Sequence, residues 1–446
     1  MASSAPSAPA SGGLFYGWVI VGAGVVLVGL GSGALFSLAV FLKPMQDSMA
    51  WSRGAISAVA LSMWVAYGMG SLMWGALSDR WGARRVVLGG SLLLGLGLVG
   101  ASQITSLWQF YAAFGGVVGL ALGAFYAPLT TTATRWFTAN RGLAVALVSS
   151  GTGLGTFVVV PLTRWLINTY DWRVAMLVLG DLVWIVMIPL GLLIRNAPGD
   201  VGGAADDDVP LAEIWRSPQF WLIALTHFTC CIAHSGPIFH MVTHAMDQGV
   251  GSMTAATILG ISGLASLVGR IVSGVVADRW GAKQTLIAML SLQAPAIFLY
   301  LFTGSAASFY ALAVVFGASY GGVMPMYALL TREYFGAKAM GAAYGAIFML
   351  QAVGMGLGAF GGGWFYDHLG TYAWLFGSAT AVAAAAILFA LPLRSPRALV
   401  VTRNMGGPDM APHTRLLRWG PRHGPHTPRS ARPGTAVAVL DPPTGS

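Results

Sequence analysis

Long apolar runs alternate with short polar turns along the whole chain. About 20 apolar residues in helical conformation cross the hydrocarbon core of a bilayer. Twelve runs reach that length: 16–42, 54–77, 86–104, 107–133, 142–168, 174–194, 219–245, 254–277, 285–303, 307–330, 341–366 and 371–393. Six precede a polar segment at 195–217 and six follow it. That segment carries Asp200, Asp206, Asp207, Asp208 and Glu213, and it reads as a linker. The pattern predicts an all-α membrane protein in five parts. These are an unstructured tail at 1–13, a six-helix bundle at 14–194, the linker at 195–217, a second six-helix bundle at 218–393 and an unstructured basic tail at 394–446.

One polar turn occurs twice. Gly75-Ala76-Leu77-Ser78-Asp79-Arg80-Trp81-Gly82-Ala83-Arg84-Arg85 returns as Gly274-Val275-Val276-Ala277-Asp278-Arg279-Trp280-Gly281-Ala282-Lys283-Gln284, an offset of 199 residues. A charged turn leaves backbone groups that hydrocarbon cannot satisfy, so each copy lies at a membrane face. Recurrence at the same place in each half implies a duplicated unit and two pseudo-symmetric bundles.

Composition closes the soluble alternative. The chain is 56% hydrophobic and 9% charged, against about 25% charged in soluble domains. The net charge of +9 raises nucleic acid as a partner, but the distribution of that charge argues against one. Nineteen of the 24 Lys and Arg fall on the side of the repeated turns, eight of them in the C-terminal tail. The opposite loops hold Lys43, Arg53 and Arg173, with Arg164 near a helix end. By the positive-inside rule the repeated turns and both termini face the cytoplasm, in a cytoplasmic (inner) membrane. The tail either stands solvated or rests on anionic lipid, at about 1 kcal/mol per basic residue. Residues 1–13 carry no basic n-region of a signal peptide. Two cysteines, Cys230 and Cys231, make no disulfide framework.

Candidate chemistry is sparse. Arg270 lies inside the eighth run, where a charge costs roughly 2.5–3.5 kcal/mol on insertion scales and is retained for a partner or ligand. Its planar fork matches a carboxylate; the alternative is an ion pair, for which Asp181 in the sixth run is the comparable acid. In the seventh run His227, Cys230, Cys231 and His234 share a helix face, and His240 and His244 repeat the spacing beyond Gly236-Pro237. Three readings compete there: a metal site, structural histidines, or a histidine that handles protons or substrate, for which His234 is the first candidate. Asp181 is the alternative proton carrier. Glycine runs at 151–155 and 354–363 lie inside helices and read as packing seams, since no Lys-Ser/Thr follows as in a phosphate loop. No nucleophile–base pair, Walker motif or cofactor motif is present, so the chain is not expected to be an enzyme.

Twelve spans in two halves, with G-x-x-x-D-R-x-G-x-[RK]-[RK] after spans 2 and 8, resemble the major facilitator superfamily of secondary transporters. The second copy departs at Gln284. A narrower resemblance, to the bacterial branch of monocarboxylate porters and oxalate:formate antiporters, rests on Trp136-Phe137, on Arg141-Gly142-Leu143-Ala144 with Gly151, Gly153 and Gly155, and on Tyr16-Gly17-Trp18-Val19. Arg270 matches the span-8 arginine that binds substrate carboxylate in that branch. Two departures stand out. Ser266 occupies the position of an Asp one turn before that arginine, and Phe36 that of a proton-handling Lys in span 1.

The resemblance implies a secondary active transporter working by alternating access, with a small organic anion, notably a monocarboxylate, and protons as partners. Exchange of anions and a transport-dead sensor are the alternatives. It also implies a cavity lined by spans 1, 4, 7 and 10, where Tyr126, Thr130, Tyr320, Met324 and Tyr327 become candidates beside His234; Gln351 in span 11 is a weaker one. Finally it implies a cytoplasmic gate that latches the outward-open state. Its members are Gly75, Asp79, Arg80, Gly82, Arg84 and Arg85 in one copy, and Gly274, Asp278, Arg279, Gly281 and Lys283 in the other. The motif glycines would let helices approach at that face.

Overall fold

The computed structural model describes residues 15–137, 141–196 and 211–393. The expected tails at 1–13 and 394–446, and the linker acids Asp200 and Asp206–Asp208, lie outside the described residues. Among the described residues, twelve helices are long and apolar enough to span a membrane. They are α1 (Tyr16–Met49), α2 (Arg53–Ser78), α3 (Ala83–Ser102), α4 (Leu107–Trp136), α5 (Leu143–Thr169), α6 (Trp172–Leu192), α7 (Pro218–Asp247), α8 (Ser252–Trp280), α9 (Ala282–Phe302), α10 (Ala306–Phe335), α11 (Ala343–Leu369) and α12 (Ala373–Ala390). A short helix, Leu211–Arg216, leads from the linker into α7. Large apolar side chains such as Ile185, Phe302 and Leu388 are exposed on the flanks, as residues facing lipid tails are. Exposed tryptophans lie near both helix ends, among them Trp81, Trp215 and Trp280 at one and Trp108, Trp364 and Trp374 at the other, where aromatic belts anchor membrane proteins.

The repeated turns sit at one end of the bundle, here called the motif face. The helical turns of α2 run on to Trp81 and those of α8 to Trp280. Gly82 and Gly281 then take φ of 81° and 89°. Side chains with a Cβ rarely adopt that region, so glycine is what lets each long helix turn back at once into α3 or α9.

The two glycine runs are seams, and the seams mirror one another. In α5, a Cβ added at Gly151 or Gly155 would strike the backbone of α1 at Val25 and Gly29, while Gly153 faces Gly263 and Ser266 of α8. In α11, Gly354 and Gly358 face Phe228 and Ile232 of α7, while Gly356 and Gly363 face Leu61 and Arg53 of α2. Thus α5 seats α1 from its own half and α8 from the other, and α11 seats α7 and α2 in the same way. Small residues allow this approach between helices that gain nothing from hydrophobic burial in lipid.

Both cross-half seams are tight at the far face and open toward the motif face. Along α2 and α11, Gly363 lies against the Arg53 carbonyl and Gly68 against Met349; by Gly345 the nearest atom of Leu72 is 4.0 Å from an added Cβ, and at Gly75 there is nothing within 4 Å. Along α5 and α8, Gly260 meets Phe157 and Gly263 meets Thr156, whereas Gly274 meets nothing within 4 Å. The expected close approach of helices at Gly75 and Gly274 is therefore absent in this conformation, because the halves meet at the opposite end. Met69, Leu72 and Met73 of α2 and Val268, Ile271, Val272 and Val275 of α8 are left exposed near the motif face.

The far face is held by charge. Arg53 at the start of α2 is 3% exposed and forms a two-pronged pair with Asp247 of α7, at 2.5 and 2.9 Å. Its Nε donates to Gln46 of α1 at 3.0 Å, and its guanidinium lies 3.7 Å over the Tyr366 ring of α11. Asp367 of α11 accepts from the backbone N–H groups of Arg53 and Gly54 at 3.0 and 2.6 Å. A carboxylate at a helix N-terminus also meets the favourable end of the helix dipole.

Candidate substrate site

Two helices are interrupted where they approach the centre. Within α1 the regular helix breaks at Ser37, whose hydroxyl donates to the Gly33 carbonyl at 2.7 Å and pairs with Thr163 of α5 at 2.9 Å. Within α4, Tyr111–Val118 is wound as a π-helix and a turn follows at 123–125. Tyr126 starts the next helical stretch. The break re-aims that residue, in keeping with the recurrence of π-turns at functional sites.

Arg270 of α8 reaches across the interface and donates from Nη1 to the Ser149 carbonyl of α5 at 3.0 Å. Its Nε is buried without a hydrogen-bond partner. Nε and Nη2 form the side-on edge of a guanidinium, the edge that grips a carboxylate with two parallel bonds. Among the described residues Arg270 is in no ion pair; the two recorded are Lys43–Asp47 and Arg53–Asp247. Asp181 is exposed on α6, which packs on α1, α3 and α5 rather than on α8. A structural pair between Arg270 and Asp181 is thus not formed.

Two phenols of the second half lie near the arginine, and two of the first half lie near one of these. Tyr320 of α10 sits beside Ser266 and within electrostatic range of Arg270. Tyr344 of α11 lies within range of Arg270 and of Tyr126 and Tyr67. Tyr67 of α2 packs on Trp64 and edge-on against Phe348, with ring centroids 5.4 and 5.7 Å apart. Tyr67, Tyr126 and Tyr344 are each half-buried. Tyr327 stands apart. It is fully buried within the second half, donates to the Thr226 carbonyl at 3.4 Å and stacks on His227 at 3.8 Å. Sequence reasoning missed Tyr67 and Tyr344 because it searched spans 1, 4, 7 and 10. The pairing of α2 with α11 across the interface is what brings them in.

The α7 histidines have separate surroundings. His234 is buried, stacks on Tyr320 at 5.6 Å and has Nδ1 3.7 Å from the Cys230 sulfur. Through Tyr320 it joins the arginine's neighbourhood. Both ring nitrogens of His227 lack partners. His240 and His244 belong to the far-face packing, with bonds to the Ala359 and Tyr300 carbonyls. Among the described residues no three His, Cys, Asp or Glu side chains converge on a metal position. Arg164, near the end of α5 as expected, is 6% exposed against α1, with the Val40 carbonyl 3.4 Å from Nη1.

At the motif face Lys283 donates to the Leu391 carbonyl at 2.8 Å. Arg80 is exposed, Arg135 of α4 has partners, and the side chain of Asp79 lies outside the described residues. The gate arginines and Asp278 take part in no ion pair among the described residues, as the splayed seams require.

Twelve membrane helices, a duplicated turn and a central arginine shared between halves define a membrane transporter. A sequence profile of the Major Facilitator Superfamily matches residues 21–359, and the chain belongs to that family. It is similar to monocarboxylate transporter 11 of mouse, 32% identical over 61% of this chain and 62% of that one. It is also similar to monocarboxylate transporter 13 of rat, 29% identical over 86% of this chain and 90% of that one. The match to the mouse protein thus spans less than two thirds of its length. Among solved structures, the nucleoside transporter NupG superposes with a TM-score of 0.67 at 14% identity, over 83% of this chain and 98% of that one. At that identity the likeness speaks for the fold alone.

Proposed function

We propose that this protein is a secondary active transporter that carries a small monocarboxylate across the cytoplasmic membrane by alternating access, coupled to protons. The observation that carries the reading is the buried, unpartnered Nε of Arg270 at the meeting of α5 and α8. A guanidinium inside a membrane protein, held by one carbonyl and by no acid among the described residues, is suited to receive an anionic ligand. Tyr320, Tyr344, Tyr126 and Tyr67 offer hydroxyl donors to a carboxylate and ring faces to its carbon skeleton. The monocarboxylate transporters among the relatives support the same substrate class.

The two bundles, 14–194 and 218–393, rock about the central seams. With the motif face cytoplasmic, as the Lys and Arg distribution indicates, the conformation described is inward-facing. The far-face network is its closure and the motif turns are the latch of the opposite state. His234, stacked on Tyr320, is the proton-handling residue. The transport test is uptake of labelled small carboxylates into proteoliposomes. Proton symport predicts uptake driven by an inward proton gradient with no anion inside. Uptake that needs internal anion would assign exchange instead, and ligand binding without flux would assign a sensor.

A further inference from the structure

His240 of α7 is fully buried at the far face, against Gly362 of α11 and the Tyr372 ring. Its Nε2 is 2.8 Å from the Ala359 carbonyl and its Nδ1 is 3.2 Å from the Tyr372 hydroxyl. A carbonyl only accepts, so Nε2 carries the hydrogen. The Tyr372 hydroxyl accepts from Arg53 Nη1 at 3.0 Å, so its own hydrogen is directed to Nδ1. Burial holds the Tyr372 phenol above its ordinary value, which keeps that hydrogen in place. The directions are therefore fixed along the chain: Arg53 to Tyr372, Tyr372 to His240, His240 to Ala359. Only a neutral imidazole completes it.

We propose that His240 is the proton sensor of the far-face gate: neutral, it locks α2 of one half to α7, α11 and the α11–α12 turn of the other, and protonated, it unlocks them. A proton on Nδ1 removes the acceptor that Tyr372 uses. It also places a second positive charge beside Arg53, where both side chains are buried. The proposal rests on the alternating-access reading and adds to it a residue distinct from those near Arg270. The charged and titratable groups facing His240 are Arg53 from α2, Asp367 and Tyr366 from α11, Tyr372 from the turn, and His244 and Asp247 from α7 itself. On α1, Lys43 and Asp47 pair with each other at 2.5 Å. Asp247 and Asp367 already accept from Arg53. The His240→Gln variant assigns a transition between pH 8 and pH 5.5 to this imidazole and not to His244. The closed gate binds fewer protons at His240 than the open one, so lowering pH favours opening.

The test measures distance and needs no substrate. Cys230 and Cys231, the free thiols, are replaced by serine. Spin labels are placed at the exposed far-face positions 170 and 304 through Tyr170→Cys and Gly304→Cys. The full chain in lipid nanodiscs is measured by pulsed electron resonance at pH 8 and pH 5.5. The parent should show a longer-distance population whose ratio to the shorter one rises about tenfold at pH 5.5, equivalent to ~1.4 kcal/mol. His240→Gln should abolish that rise. Tyr372→Phe, which keeps the ring and removes the relay hydroxyl, should show the longer population already at pH 8 and little further change. A parent insensitive to pH, a His240→Gln protein that keeps the parent's response, or a Tyr372→Phe protein identical to the parent would each overturn the assignment. If no carboxylate is transported yet the distances still switch, the transport reading fails and the sensor stands.

Discussion

The replacement of Arg270 by lysine separates a carboxylate fork from a simple positive charge. Arg270 spends Nη1 on the Ser149 carbonyl and leaves Nε unpartnered, so the Nε–Nη2 edge is the one a carboxylate would use. A lysine keeps the charge, offers a single point of attachment and loses one of two charge-assisted bonds. Such a bond contributes about 1.5–3 kcal/mol. At ~1.4 kcal/mol per tenfold, the KM for the carboxylate should rise about 10- to 150-fold in Arg270→Lys. The assay is the initial rate of labelled carboxylate uptake against concentration in proteoliposomes, with thermal unfolding of the purified variant in parallel. Unchanged thermal stability with a raised KM supports the fork. A KM equal to the parent's refutes it, and a loss of stability with unchanged KM would make Arg270 a structural residue between α5 and α8.

Three further outcomes follow from the seams, the latch and α7. Gly363→Ala places a methyl 2.5 Å from both the Arg53 carbonyl and the Ser57 hydroxyl; overpacking of this kind costs about 1–3 kcal/mol, so the form closed at the far face should lose population. Accessibility of far-face cysteines to a water-soluble maleimide would show it, and unchanged accessibility would contradict the tight seam. Asp79→Asn should slow uptake more than Asp278→Asn, with binding kept in both, because the first motif copy carries Arg84-Arg85 and the second Lys283-Gln284; equal slowing or lost binding would refute the asymmetry. His234→Gln should flatten the dependence of uptake on external pH; a profile like the parent's removes His234 from coupling.

Much of this fold is legible as a one-dimensional pattern. Bilayer thickness sets the length of each apolar run, so the twelve spans fall close to their expected positions, although the first runs on to Met49 and the tenth to Phe335. The repeated turn needs glycine for its positive φ, so Gly82 and Gly281 mark both helix ends in the sequence itself. Arg270 is legible because a charge inside hydrocarbon is costly wherever it points. Tyr67 and Tyr344 are not, because a phenol in an apolar run is as compatible with packing as with binding, and only the meeting of α2 with α11 decides between them. The same limit parted Tyr320 from Tyr327: both lie on α10, yet one faces Arg270 and the other the interior of its own half. The Arg53–Asp247 pair joins helix ends that are far apart in sequence, and nothing local announces it.

The bare-backbone seams bear on speed as well as packing. When two surfaces of long side chains slide, each new register must freeze rotamers afresh, and each such side chain costs up to about 1.5–2 kcal/mol of entropy. Gly153 against Gly263, and Gly260 against Phe157, offer backbone to backbone. A glycine has no rotamers to reorder. On the proposed alternating-access reading, rocking along these tracks would meet little friction of its own, and the barrier to turnover would be concentrated in the closures at the two membrane faces. Rate and direction can then be tuned at the closures, by pH, ligand or substitution, while the sliding tracks stay as they are.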